Sequence, residues 1–151
     1  MRLAKGQVFK ALVADDIKEN REVLSRILSD AGFEVETVGD GHIALEAIRR
    51  DMPDVVFMDI RMPVMDGLTA PQRIIEEFGD QGPWLVAFSA SALVHEQQRY
   101  LSAGFDAFLA KPVVASQLYD CLATLLQGDE SEPIFEAKPA VAIDLATLPL
   151  L

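Results

Sequence analysis

Five side chains in this 151-residue chain have the types needed to handle a phosphoryl group: Asp15 with Asp16, Asp59, Ser89 and Lys111. Each stands at or just past the end of a short apolar run. A fold that draws those ends to one edge brings three carboxylates together. They repel, so a site that keeps them ionised needs a compensating cation. All-oxygen donors with few protein ligands favour Mg²⁺, which keeps several waters and shares phosphate oxygens. Phosphoryl transfer asks for an in-line nucleophile, a metal on the equatorial oxygens and positioned donors. Asp59, the metal, Ser89 and Lys111 make up that set, and the chemistry they predict is phosphorylation of an aspartate. Taken singly, each acid reads as a solvated strand-end carboxylate or a helix cap; their joint placement at four strand ends turns the reading.

The elements that must position them follow one another from residue 8 to about 127. Phe9-Lys10-Ala11-Leu12-Val13-Ala14 is apolar and stops at two acids, which predicts a buried strand. Ile17, Asn20, Leu24, Ile27, Leu28 and Ala31 follow helical spacing, with Gly32 where a helix ends in a left-handed residue. Phe33 to Val38 predicts a second strand. Gly39-Asp40-Gly41 then turns into a helix facing the core with Ile43, Ala44, Ala47 and Ile48. Val55-Val56-Phe57-Met58 is the most β-branched run, a central strand covered on both faces, and it ends at Asp59. A third helix carries Leu68, Ile74, Ile75 and Phe78, with Asp66 as its expected N-cap. Pro71 forces a late or irregular start, with the proline inside the first turn. Trp84 to Phe88 predicts a fourth strand ending at Ser89, and a helix over about 92–102 closes at Gly104. Phe105 to Ala110 predicts a fifth strand ending at Lys111-Pro112. The last helix turns Leu118, Leu122, Leu125 and Leu126 inward.

Strands separated by helices of this length need right-handed crossovers, hence a doubly wound α/β sheet, mostly parallel, with helices on both faces. Functional groups in such sheets gather at the carboxyl ends of the strands. The 50% of residues that are hydrophobic can bury a real core, which excludes wholesale disorder. A net charge of -11 repels polyanions, so DNA or RNA is excluded as a direct ligand. The single cysteine, Cys121, excludes an internal disulfide framework or cysteine-cluster zinc site and suits the cytoplasm. No apolar run approaches the ~18 residues of a membrane span, and the start lacks the apolar stretch of a secretion signal. Residues 1–7 read as an extension and 8–127 as the domain. Residues 128–151, acidic and proline-containing, read as a linker or the start of a following domain that is cut short.

Asp15-Asp16, the run Met58-Asp59-Ile60-Arg61-Met62-Pro63-Val64-Met65-Asp66-Gly67, Ser89-Ala90 and Lys111-Pro112 together resemble the receiver domain of two-component response regulators. The resemblance spans roughly residues 8–127. It implies a flavodoxin-like sheet of five parallel strands in the order 2-1-3-4-5. It also implies that Asp59 is the phosphoacceptor, Asp16 a direct metal ligand, Asp15 a ligand through water and the backbone carbonyl of Arg61 a further ligand. The implied metal is Mg²⁺, with Mn²⁺ able to stand in. Ser89 and Lys111 complete the pocket, Lys111 pairing with the phosphoryl group, and the Lys111-Pro112 bond is implied to be cis, an isomer that proline tolerates. Phe108 holds the position of the switch aromatic. The implied donor is a histidine kinase or a histidine phosphotransfer domain, with acetyl phosphate as a small substitute. Phosphorylation adds charge and acceptor oxygens that would draw the Ser89 hydroxyl inward and let Phe108 rotate, changing the surface of the fourth helix, fifth strand and fifth helix. On this reading the chain is a signalling recipient and not an enzyme.

A metal-dependent phosphatase working through an aspartyl phosphate on external substrates is the alternative. It wants a second acid two residues after the nucleophile, where Arg61 stands. A flavin module of the same sheet order needs a Ser/Thr/Gly-rich loop after the first strand; Asp15-Asp16-Ile17-Lys18 would repel a phosphate there. His42 and His95 read as exposed helix residues and Cys121 as a packed small group. Met58, Met62 and Met65 are accounted for by packing. Arg61 and Ser91 flank the pocket, where the resemblance implies tuning of phosphoryl hydrolysis and a plain surface role is the alternative. The Phe88-Ser89-Ala90-Ser91-Ala92 and Gly104-to-Pro112 segments resemble receivers within hybrid sensor kinases. Asp144 and the apolar residues after it suggest a histidine phosphotransfer domain as the continuation.

Overall fold

Five strands alternate with five helices in the computed structural model, which describes residues 9–60, 69–89 and 94–127. The strands are β1 Lys10–Ala14, β2 Glu34–Val38, β3 Val55–Asp59, β4 Trp84–Ser89 and β5 Ala107–Ala110. The helices are α1 Lys18–Asp30, α2 Gly41–Arg50, α3 Ala70–Phe78, α4 Val94–Ser102 and α5 Ala115–Gln127. All pairings are parallel and the order is β2-β1-β3-β4-β5, the doubly wound flavodoxin-like sheet expected. Order reverses between β1 and β3, so their carboxyl ends open a crevice. Register then lines up the ends: Ala14 lies opposite Met58, Asp59 opposite Phe88, and Ser89 opposite Ala110.

Side chains alternate across a strand, so each strand feeds two apolar layers. Val13, Phe57 and Phe88 pack with Leu24, Leu28, Leu118 and Leu122 of α1 and α5. Leu12, Met58 and Ala87 pack with Ile48, Ile74 and Tyr100 on the opposite face, beneath α2, α3 and α4. The same alternation directs Ser89 and Phe108 toward the α4 side. Both layers are needed to hide β3, which is buried along its whole length.

Several local expectations shift. Ile17 is not part of α1; it occupies the cap position, 48% exposed, because its N–H is turned back to the Asp15 Oδ1 at 2.9 Å. Ile43 is exposed and Leu45 takes the inward place, since Gly41, Ala44, Leu45 and Ile48 form the tighter stripe and Ile43 falls on its rim. Asp40 caps α2 by accepting the Ile43 N–H at 2.8 Å. The third helix begins at Ala70 with Pro71 in its first turn, so the cap position passes from the expected Asp66 to Thr69. Ile75 stays largely exposed, and β5 starts at Ala107, two residues later than expected. Asp66, Leu68 and the segments 1–8 and 128–151 lie outside the described residues.

Gly104 closes α4 at φ +117°, and a Cβ there would meet the Ile75 Cδ1 at 2.6 Å. The isoleucine end can give way but the backbone cannot. Gly104→Ala is therefore expected to destabilise the domain by about 1–2 kcal/mol, read as a lower urea midpoint at unchanged slope. Cys121 on α5 is partly buried, and burial pushes its thiol up to about 11. A raised thiol value favours the neutral form in the fold, so any stability it confers is complete below the ordinary value of 9.0 and is lost as pH climbs toward about 11. Alkylation of native protein at pH 8 is expected to run about tenfold or more slower than in urea, measured by iodoacetamide uptake; equal rates would contradict the burial argument.

Candidate functional site

The site assembles where β1, β3, β4 and β5 end. Asp59 and Ser89 are the last residues of β3 and β4, while Asp15 and Lys111 sit one residue beyond β1 and β5. Asp15 is 1% exposed, Asp59 5% and Ser89 6%, and Asp16 alone among the acids reaches solvent. One carboxylate oxygen from each of Asp15, Asp16 and Asp59 lies within 4.8 Å of the others. The Lys111 Nζ joins this cluster, 3.0 Å from Asp15 Oδ2 and 3.2 Å from Asp59 Oδ1.

Local geometry fixes each group. Asp15 is pinned at both ends of its backbone. Its N–H donates to the Val38 carbonyl at 3.1 Å, and its own carbonyl accepts the Arg21 Nη1 at 2.6 Å. Its Oδ1 is occupied by the Ile17 N–H, which leaves Oδ2 for the lysine. Lys111 is held by its N–H on the Ser89 carbonyl at 2.8 Å, and its ammonium stands 5.2 Å from the Phe88 ring centroid. The Lys111-Pro112 peptide is cis.

A single ammonium among three carboxylates leaves the cluster two charges negative. Desolvated like charges at this separation interact strongly, and the donors are all hard oxygens. That set suits an octahedral divalent ion completed by water rather than a thiophilic metal.

Arg61, Ser91, Met62 and Met65 lie outside the described residues, so the carbonyl assigned to metal binding is not among them. Met58 is fully buried in the core layer. His42 sits exposed on α2, its Nε2 3.6 Å from Glu46. The sequence reading missed Tyr100. This α4 residue is 2% exposed, its hydroxyl is 3.2 Å from Ser89 Oγ, and its ring stacks on Phe108 at 5.4 Å between centroids. An aromatic in a mostly polar helix was the available signal.

Beside this site, α4, β5 and α5 enclose an open groove of about 500 Å³ lined by Gln97, Phe108, Asp120, Cys121 and Leu125 among others. Among the described residues, no helix is long and apolar enough to cross a membrane.

Comparison with known proteins gives a consistent result. The sequence profile of the response regulator receiver domain matches residues 11–123. The sensory/regulatory protein RpfC of Xanthomonas campestris is 36% identical over 146 residues, 95% of this chain but 20% of its own length. Response regulator MprA of Mycobacterium leprae is 36% identical over 141 residues, 93% of this chain and 60% of its length. The crystal structure of the receiver domain of the sensor histidine kinase PA1611 from Pseudomonas aeruginosa, with magnesium coordinated in its active-site cleft, superposes with a TM-score of 0.72 at 29% identity. That match covers 80% of this chain and 98% of that one. This chain thus spans a fifth of RpfC and three fifths of MprA.

Proposed function

The chain belongs to the response regulator receiver domain family of two-component systems, and from that premise we propose that it accepts a phosphoryl group from a phosphohistidine onto Asp59. The observation that carries the reading is the convergence of Asp15, Asp16, Asp59 and Lys111 on one strand-end cluster. In the transfer a carboxylate oxygen of Asp59 forms the new P–O bond as the P–N bond to the donor imidazole breaks. Lys111, already beside Asp59, pairs with a phosphoryl oxygen, and the Ser89 hydroxyl donates to another.

Asp15, Asp16, Asp59 and the Arg61 carbonyl would hold Mg²⁺, with Mn²⁺ as substitute; the ion supplies positive charge for the transferring group. The PA1611 domain's magnesium supports this assignment. Phosphorylation then moves Ser89 and Phe108 and alters the α4–β5–α5 face, where the open groove lies. The donor is a histidine kinase or histidine phosphotransfer domain, with acetyl phosphate sufficient in vitro. Residues 8–127 form the receiver and 128–151 a linker or the start of a further domain. Likeness to a sensor histidine kinase's receiver supports a hybrid kinase as parent and the cytoplasm as location.

Incubation with acetyl phosphate and Mg²⁺, followed by mass spectrometry, tests the proposal. One phosphoryl mass per chain is expected, and none when the metal is chelated. Continuous release of many phosphate equivalents per chain from phosphomonoesters would favour the phosphatase instead.

A further inference from the structure

We infer that Tyr100 is a positioning residue that restrains the Ser89 hydroxyl in the unphosphorylated protein and so sets how readily the domain switches; this rests on Asp59 being the acceptor. Proton inventory carries the argument. A tyrosine hydroxyl has one proton, and so does a serine hydroxyl. The Tyr100 hydroxyl donates to the Glu96 Oε2 at 3.3 Å. Either oxygen could donate in the 3.2 Å contact between Ser89 Oγ and the Tyr100 hydroxyl; with the tyrosine proton on Glu96, the serine is assigned as the donor. A serine proton committed to Tyr100 is not available to a phosphoryl oxygen on Asp59. Engagement of Ser89 at the acceptor therefore breaks the Ser89–Tyr100 bond. It leaves the hydroxyl oxygen of Tyr100, a residue 2% exposed, short of a donor.

The tyrosine is also tied to the second moving part. Its ring stacks on Phe108 at 22° between planes, so a change at its hydroxyl and a rotation of Phe108 are felt by one side chain. Tyr100 thereby links the donor at the end of β4 to the aromatic on β5. Tyr100 and Phe108 belong to the same apolar layer beneath α4.

The test is titration of the protein with beryllofluoride in the presence of Mg²⁺, followed calorimetrically. Tyr100→Phe keeps the ring and its stacking while deleting the hydroxyl. It is expected to bind the phosphoryl mimic about three- to tenfold more tightly than wild type, the worth of one hydrogen bond. In a Ser89→Ala background the same substitution is expected to change affinity by less than about twofold, because the bond it removes is already absent. Glu96→Ala is the second variant. It frees the tyrosine proton to serve Ser89 and is expected to tighten binding in the same direction. Unchanged affinity in Tyr100→Phe, or a gain that persists without Ser89, overturns the inference. Failure of wild type to bind the mimic at all would strike the phosphoacceptor reading instead.

Discussion

Asp59→Asn is expected to take up no phosphoryl group from acetyl phosphate and Mg²⁺ while folding normally and, in metal-free buffer, melting above wild type. The first part follows from chemistry: an amide oxygen carries no negative charge to attack phosphorus, so labelling falls by about a thousandfold or more. The second follows from the charges around it. Asp59 is attracted by Lys111 at 3.2 Å but repelled by Asp15 and Asp16, and its side chain is 6% exposed. Two repulsions and a desolvation penalty outweigh one attraction, because Lys111 keeps its bond to Asp15 at 3.0 Å after the substitution. The gain is on the order of 1 kcal/mol, a rise of a few degrees in Tm. Addition of Mg²⁺ should raise the wild-type Tm and raise the variant's by less, since one ligand charge is gone. Mass spectrometry and thermal melts read both parts. Labelling equal to wild type would remove Asp59 from the acceptor role, and a lower metal-free Tm would mean that the lysine's attraction dominates the cluster.

Much of this arrangement is legible in the sequence because the fold writes itself in short apolar runs. Val55 to Met58 can bury both faces only in the middle of a sheet, and the polar residue that ends each run marks the sheet's carboxyl edge. Gly32 and Gly104 announce helix ends, and both take positive φ. What sequence pattern does not resolve is competition among apolar residues for one helix stripe. Ile43 and Leu45 are equally apolar, and only the packing of α2 on β1 and β2 selects the second. Element edges depend on hydrogen bonds between distant segments: the Asp15 carboxylate takes the Ile17 N–H, which delays α1 to Lys18. Tyr100 escaped for the same reason. Its hydroxyl meets Ser89 across α4 and β4, eleven residues away, and its ring meets Phe108 on β5. No local period encodes either contact.

Lys111→Met is expected to disable both the stability and the chemistry of the site, in a way that a metal partly repairs. The lysine is 18% exposed and its Nζ is shared between Asp15 and Asp59, which are more deeply buried than it is. Replacing it leaves those carboxylates facing each other without a cation. Removal of one partner from a buried pair costs about 3 kcal/mol or more, so the metal-free urea midpoint should drop well below wild type. Two additions then separate charge from packing. Mg²⁺ should stabilise Lys111→Met more than wild type, because the ion now compensates charge that the lysine no longer meets. Asp59→Asn in the same background should recover much of the loss by removing the unmatched carboxylate. Neither would help if the long side chain acted by filling space, since methionine fills that space as well. Phosphoryl uptake should nevertheless stay depressed by about a hundredfold at saturating Mg²⁺. An ion bound on the carboxylates does not put an ammonium on the opposite flank of the phosphoryl group, so restored stability with lost transfer is the signature that Lys111 serves both the cluster and the transferred group.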